Sequence, residues 1–254
     1  MVREVTDAEA AFYREHGWVH LPGLITPEHA AGLRERAAAR LRPGTDRVRR
    51  SQVDAAFAQS RDIAETDEAF RGLAFAPPLA RGVRTLLTGV TRIRLQVTNL
   101  LIKEPGGGHG ATVFHQDFPW MPMDRSAMLT VWLALGDVPA EMGSLRFYSG
   151  SHLHGTLGRS FVRDGDDQLA QHPWLKELPL SPPLDLRAGD ATVHSALTVH
   201  GAGENRCDEP RLSFTATYFD ADALYTGAPY QQTDGLGLKV NEPFDHPRFP
   251  VVAS

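Results

Sequence analysis

The sequence predicts a mainly β protein, a sandwich or barrel braced by N-terminal helices. Three observations point there. Helix signals gather before Arg92. Beyond it come short runs of alternating apolar and polar residues, parted by Gly, Pro and Asp. The two kinds of element do not alternate along the chain, which argues against a doubly wound parallel sheet. A length of 254 residues suits one large domain. Its expected divisions are a mostly helical bracing region at 1–90, a β core at 91–220 and a C-terminal extension at 221–254.

The elements follow in order. Thr6 with Glu9 three later reads as a capping box, and Gly17 stands where a helix C′ glycine would. Trp18-Val-His-Leu-Pro is long enough only for a strand. Thr26 then reads as an N-cap and Pro27 as the first helical residue, with Pro43-Gly44 closing that helix. Residues 47–61 are polar and poorly periodic, which predicts a loop or lid. Two further helices fit 65–73 and 79–87. From Ile93 the alternation of Ile93, Leu95 and Val97 with Arg94, Gln96 and Thr98 predicts a strand with one buried face. Gly106-Gly107-Gly108 reads as a turn or mobile loop. Further strands are expected at 128–135, 144–148, 191–199 and 211–219, with loops at 164–168 and 179–183.

Composition excludes several classes of function. A hydrophobic share of 42% with 22% charged residues rules out wholesale disorder. A net charge of −5 without a basic block leaves no nucleic-acid footprint. The longest apolar run, 127–135, carries Thr130 and falls far short of the ~18 residues of a bilayer span. The charged start Met-Val-Arg-Glu-Val-Thr-Asp lacks the apolar centre of a signal peptide. Cys207 stands alone, so neither an intrachain disulfide nor an all-thiolate zinc site is available. These exclusions point to a cytoplasmic protein whose partner is a small molecule, not nucleic acid or a membrane.

His115-Gln116-Asp117 is the first informative triplet. Residues two apart in an extended segment face the same side, so an imidazole and a carboxylate can reach one metal ion. His200, closing the 191–199 segment before Gly201-Ala-Gly203, is the best third ligand; those glycines read as a turn that lets backbone crowd a metal. Two histidines and one carboxylate form the set that holds ferrous iron on one face, leaving positions for a co-substrate and oxygen. Eleven residues on, Arg211, Ser213, Thr215 and Thr217 share a strand face opposite Leu212, Phe214, Ala216 and Tyr218. A guanidinium fork matches a carboxylate, so Arg211 reads as an anchor for 2-oxoglutarate, or else as half of a structural ion pair. Phe118, Trp120, Met121 and Met123 read as a substrate pocket or as core. His194 shares a face with His200 if the strand is regular. At ~3.3 Å per residue it then lies some ~20 Å away, too far to share a metal. His152 and His154 read as loop or packing histidines, and His109 as exposed.

These motifs resemble the phytanoyl-CoA dioxygenase family of iron(II)/2-oxoglutarate oxygenases over most of the chain. Glu15-His-Gly-Trp-Val-His-Leu-Pro-Gly-Leu-Ile-Thr-Pro-Glu is similar to the family's N-terminal strand entering its first long helix. Ile102-Lys-Glu-Pro-Gly with His115-Gln-Asp resembles its metal-binding entry. Thr130-Val-Trp-Leu-Ala-Leu and Gly143-Ser-Leu-Arg-Phe-Tyr-Ser-Gly-Ser-His resemble its central strands and their Gly-Ser-His turn. Gly189-Asp-Ala, then His200-Gly-Ala-Gly-Glu-Asn and Arg211, resemble its distal ligand segment.

The resemblance implies a double-stranded β-helix (jelly-roll, cupin-like) core. It implies His115, Asp117 and His200 as iron ligands and Arg211 as the 2-oxoglutarate anchor. By position it adds Asn99, Thr112 and Trp132, and also Lys103 and Ser151, around the co-substrate. Fe(II), 2-oxoglutarate and O2 are the implied reactants, with Phe118 and Trp120 toward the substrate. The sequence departs from the family at Ala202, where some relatives have serine and Ser213 is a substitute, and at Ser149 in place of a proline. Arg61 is a candidate for an early basic residue that binds 2-oxoglutarate in some relatives. The carboxylate of Asp117, which related halogenases lack, favours hydroxylation over halogenation. Epimerisation, desaturation or cyclisation are alternative ends of the same radical chemistry. The apolar candidates imply an apolar or ring-bearing substrate. An excess of Arg over Lys, 23 to 3, fits a GC-rich genome and a step in secondary metabolism such as antibiotic biosynthesis. A non-oxidative metal-binding cupin, whether isomerase, lyase or binding module, is the reading from another class. It has no use for a carboxylate clamp at Arg211.

Overall fold

A computed structural model describes residues 1–40, 49–50, 57–106, 111–159 and 168–252. Helix α1 (Asp7–His16) opens on the expected capping box: the Thr6 hydroxyl accepts from the Glu9 amide at 3.2 Å, and the Glu9 carboxylate accepts from the Thr6 amide at 2.8 Å. It ends at Gly17, φ 79°, which leads into β1 (Trp18–Leu21). Any Cβ at Gly17 would sit 2.4 Å from His152 Nδ1 and 2.6 Å from Thr198 Oγ1, so both the backbone angle and the packing require glycine. Helix α2 (Pro27–Arg40) starts behind Thr26, whose hydroxyl accepts from the His29 amide at 3.3 Å. Its expected end at Pro43-Gly44 lies outside the described residues.

The expectation of a loop or lid at 47–61 is corrected where the chain is described. Arg49–Arg50 form β2 and Phe57–Arg61 form β3, which pairs antiparallel with the next long strand. The reason is the identity of the faces. Ala58 and Ser60 are buried on one side, while polar Gln59 and Arg61 line a cavity on the other. Apolar alternation is therefore missing although the strand is real. The rest of 47–61 lies outside the described residues. Helix α3 (Glu68–Ala74) begins later than the expected 65, because the Asp67 carboxylate caps the Ala69 and Phe70 amides and 63–65 form a separate 3₁₀ turn. Helix α4 (Pro77–Leu86) follows.

Strand β4 (Ile93–Lys103) is followed by β5 (Thr112–His115), β6 (Met128–Ala134), β7 (Leu145–Phe147), the one-turn helix α5 (Gln168–Gln171), β8 (Ala191–Ser195), β9 (His200–Ala202), β10 (Arg211–Asp220) and β11 (Val251–Val252). They form two antiparallel sheets. The large one runs β1-β8-β6-β10-β4-β3-β2 with β11 paired to β4; the small one runs β5-β9-β7. This is the double-stranded β-helix, mainly antiparallel β with helices packed outside. The main core lies between the large sheet and α1–α4, and includes Leu33, Phe70, Val83, Leu100, Val193 and Phe214.

Two strand expectations are corrected. In β4 the residues on either side of Gln96 pair with consecutive residues of β10, Leu95 with Tyr218 and Val97 with Thr217, so Gln96 is a bulge. The bulge reverses the side-chain parity. Ile93, Leu95, Leu100 and Ile102 face the helices, whereas Val97, Asn99 and Leu101 face the cavity. Most of the strand is therefore covered on both faces, not one. Second, 191–199 is not one strand. β8 stops at Ser195, where a turn closed by Thr198 N–H to Ser195 O (2.8 Å) sends the chain into the small sheet. Gly201 and Ala202 continue β9 instead of turning; a Cβ at Gly201 would meet the Thr112 carbonyl at 2.8 Å.

Candidate metal centre

His115 ends β5 and His200 begins β9, and the two are register partners in the small sheet with ring centroids 4.2 Å apart. Asp117 follows in an αR conformation that opens the 3₁₀ turn Phe118–Trp120 and swings its carboxylate between the imidazoles. One ligand atom from each of the three lies within 4.8 Å of the others. Asp117 Oδ1 is 3.6 Å from His115 Nε2 and 3.9 Å from His200 Nε2.

The surrounding hydrogen bonds fix which atoms face inward. His115 Nδ1 donates to Val113 O at 2.8 Å, and His200 Nδ1 donates to Thr198 O at 3.0 Å. A carbonyl only accepts, so the proton of each neutral ring is on Nδ1 and the Nε2 lone pair faces the carboxylate. Burial, with His194 and His115 alongside, pushes the His200 pKa well below its ordinary value, so this ring stays neutral. Burial opposes charge on Asp117, whereas positive charge at the positions of the His200, His115 and His194 rings holds its pKa well below the usual carboxylate range; with the His200 ring neutral, a bound cation would supply that charge. Two lone pairs and an anionic oxygen pointing at one another repel unless a cation lies between them. The donor set therefore fits a divalent transition metal.

The other carboxylate oxygen is occupied. Asp117 Oδ2 accepts from Thr130 Oγ1 at 2.9 Å and lies 3.3 Å from His194 Nε2. These partners leave Oδ1 for the ion. The expected separation of His194 from His200 is wrong: their ring centroids are 4.0 Å apart. The turn at 195–199 folds the chain back, whereas the ~20 Å figure assumed a straight strand. His194 is buried and hydrogen-bonded, as expected, and it stands directly beside the cluster. Gln116, between the two candidate ligands, points away and is fully buried. Its amide donates to Gly155 O and Leu197 O and accepts from the Leu157 amide, which ties the turn to its surroundings.

The cluster opens on a cavity of about 520 Å³ between the sheets, lined also by Arg211, Asn99, Thr112, Trp132 and Trp120. Arg211 is 2% exposed and has no acidic partner among the described residues. It donates from Nη1 to Gly143 O, and its guanidinium lies 5.3 Å over the Trp132 ring. Burial pulls its pKa down to about 10. Arg211 Nε, Trp132 Nε1, Asn99 Oδ1 and Ser213 Oγ are buried without partners. Unpaired buried polar groups of this kind are costly, and all but the Asn99 oxygen can donate. They fit an anionic, multiply hydrogen-bonded guest.

The remaining predicted residues divide. Lys103 is fully buried and its ammonium donates to Gly203 O at 2.5 Å. Ser151 is not at the cavity: its hydroxyl donates to Tyr148 O and accepts from the Val199 amide, because the Gly-Ser-His turn closes against β9. Trp120 lines the cavity, whereas Phe118 is not among its lining residues and packs, partly buried, against the apolar cluster that includes Met123, Phe219 and Phe244. Residues missed in the sequence are Thr130, Gln96 and Tyr230. The signal for Thr130 was present as the single hydroxyl in the longest apolar run. Gln96 and Tyr230 gave none.

A model of the phytanoyl-CoA dioxygenase family (PhyH) matches residues 13–213. Phytanoyl-CoA dioxygenase domain-containing protein 1 of Mus musculus is 28% identical over 165 residues, 61% of this chain and 54% of that protein. The chain thus spans about half the length of the curated relatives it matches. Among solved structures, the epimerase SnoN in complex with Fe3+, alpha ketoglutarate and nogalamycin RO superposes with a TM-score of 0.80 and 32% identity, covering 97% of this chain and 98% of that one. The carbocyclase SnoK from nogalamycin biosynthesis gives a TM-score of 0.81 and 27% identity over 98% and 97%. EctD from S. alaskensis, at 17% identity over 88% and 80% with a TM-score of 0.71, shares the fold. No helix among the described residues is long and apolar enough to cross a membrane.

Proposed function

The chain belongs to the phytanoyl-CoA dioxygenase family, and from that premise we propose that it is an iron(II)- and 2-oxoglutarate-dependent enzyme that oxidatively tailors a ring-bearing small molecule in natural-product biosynthesis. In this reading His115, Asp117 and His200 hold the iron, and the whole chain works as one catalytic domain. Iron held there would supply oxidising chemistry driven by O2 and by conversion of 2-oxoglutarate to succinate and carbon dioxide.

The chain's own residues do the rest. The carbonyls of Val113 and Thr198 keep both imidazoles in the ligating tautomer. Thr130 and His194 hold Asp117 by one oxygen and present the other. Arg211 takes the distal carboxylate of 2-oxoglutarate, and Trp132 Nε1 adds a donor. Trp120, Met121 and Met128 form an apolar wall that positions the substrate and keeps water from the reacting carbon. The observation that supports this reading above a non-oxidative cupin is Arg211: a buried guanidinium without an acid partner among the described residues, on the cavity that the candidate metal ligands share. Succinate formation from 2-oxoglutarate, dependent on Fe(II) and on Arg211, is the test; iron binding without any 2-oxoglutarate turnover would refute it.

Hydroxylation is the proposed outcome, since Asp117 fills the coordination position that halogenation needs. A second reading, epimerisation or ring closure, is favoured by the likeness to SnoN and SnoK. Turnover under ¹⁸O₂ separates them. A hydroxylated product gains one labelled oxygen, whereas an epimer keeps its mass.

A further inference from the structure

A second cavity, of about 550 Å³, adjoins the first and shares Arg61, Gln231 and Gln232 with it. Its chemistry differs. The first has an apolar wall; the second is lined by the carboxylates Asp62, Glu65 and Asp234 and the guanidiniums of Arg40, Arg61 and Arg248, with Leu236 its only apolar residue among those described. Most of these groups form a fixed frame. Arg248 pairs with Asp62 at 2.8 Å, Arg40 donates to Thr66 Oγ1 at 2.5 Å, and Asp234 accepts from the Tyr230 amide at 3.0 Å.

Two donors at the junction stand outside that frame. Arg61 has no hydrogen bond or acidic partner among the described residues. Gln232 Nε2 is buried and unpaired, while its Oε1 is held by Gln96 Nε2 at 2.8 Å, which fixes how the amide is turned. A group resting there must accept from Arg61 and Gln232 and donate to the carboxylates beyond. Hydroxyls do both; a carboxylate could accept from Arg61 and Gln232 but has no proton to donate to the acids beyond. The span is also set. Arg61 on β3 lies three strand spacings from β6, which carries Thr130 and through it Asp117. At ~4.8 Å each this is about 14 Å, roughly the reach of a small ring system bearing a further group.

We propose that the substrate is bipartite, with an apolar ring against Trp120 and Met128 and an uncharged, hydroxyl-bearing appendage of glycosyl type at the Arg61–Gln232 junction. This rests on the reading above and specifies its substrate class. The probes are 4-methylumbelliferone, its β-D-glucoside and its β-D-glucuronide, titrated by fluorescence into the anaerobic enzyme loaded with iron and 2-oxoglutarate. The glucoside should bind about tenfold more tightly than the other two, as a few net hydrogen bonds give. Arg61→Ala and, separately, Gln232→Met should reduce the glucoside to the level of the parent phenol without changing the phenol's own affinity. A glucoside no tighter than the phenol, whether both bind or neither does, overturns the proposal. So does a glucuronide that binds tightest, or a glucoside preference that survives both substitutions. Succinate release by the same preparation tests the underlying reading separately: selective glucoside binding without any succinate would contradict that reading and leave the subsite standing.

Discussion

The two faces of β10 are both buried, yet they do opposite work. On one, Leu212, Phe214, Ala216 and Tyr218 enter the main core beneath the helices; the Phe214 ring lies 5.2 Å from that of Phe70, and the Tyr218 hydroxyl donates to Ala74 O at 2.8 Å. On the other, Arg211, Thr215 and Thr217 line the cavity with Ser213 on the same strand face, and Arg211 Nε and Ser213 Oγ have no partner among the described residues. The apolar face satisfies itself, so it stabilises the fold. The polar face is incomplete alone, so it costs stability and waits for a guest. Burial does not separate core from site; unsatisfied polarity does.

Substitutions break this contrast with graded force. Asp117→Ala removes the carboxylate at the polar end and should lower succinate formation on the order of a thousandfold, about 4 kcal/mol. Near-normal turnover in this variant would refute the ligand assignment. Phe214→Ala acts on the opposite face. Denaturant unfolding should show a loss of about 3–5 kcal/mol, with turnover per folded molecule little changed. Arg211→Ala should leave kcat nearly intact at saturating 2-oxoglutarate but raise the concentration required about ten- to a hundredfold, the worth of ~1.5–3 kcal/mol for hydrogen bonds to a charge. Thr130→Val keeps the shape and removes one bond to Asp117 Oδ2. Iron affinity, read by competition with a chelator, should fall about tenfold, toward the low end for partners that orient metal ligands. An unchanged affinity would mean that His194 alone positions the carboxylate.

The same contrast explains what the sequence made legible. The Arg-x-Ser-x-Thr-x-Thr face of β10 stood out because polar residues in an otherwise apolar strand need a partner, and His115-x-Asp117 because ligand types recur at short spacing. The helices of the first ninety residues were readable from local capping chemistry at Thr6, Thr26 and Gly17. Three features were not readable: two depend on where the chain slips or reverses, and the third on where a cavity lies. A single extra residue at Gln96 moved Val97 to the cavity side. A turn after Ser195 brought His194 beside His200. The polar face of β3 looked like a loop until a cavity gave Gln59 and Arg61 somewhere to point.

The most direct measurement is an anaerobic titration of Fe(II) into the metal-free protein with saturating 2-oxoglutarate, followed by the weak visible band of an iron–keto-acid chelate. We predict a band that saturates at one equivalent in the wild type and is absent in Asp117→Ala and His200→Ala. A band that survives either substitution, or none at all with iron bound to the folded wild type, would contradict a centre built from His115, Asp117 and His200.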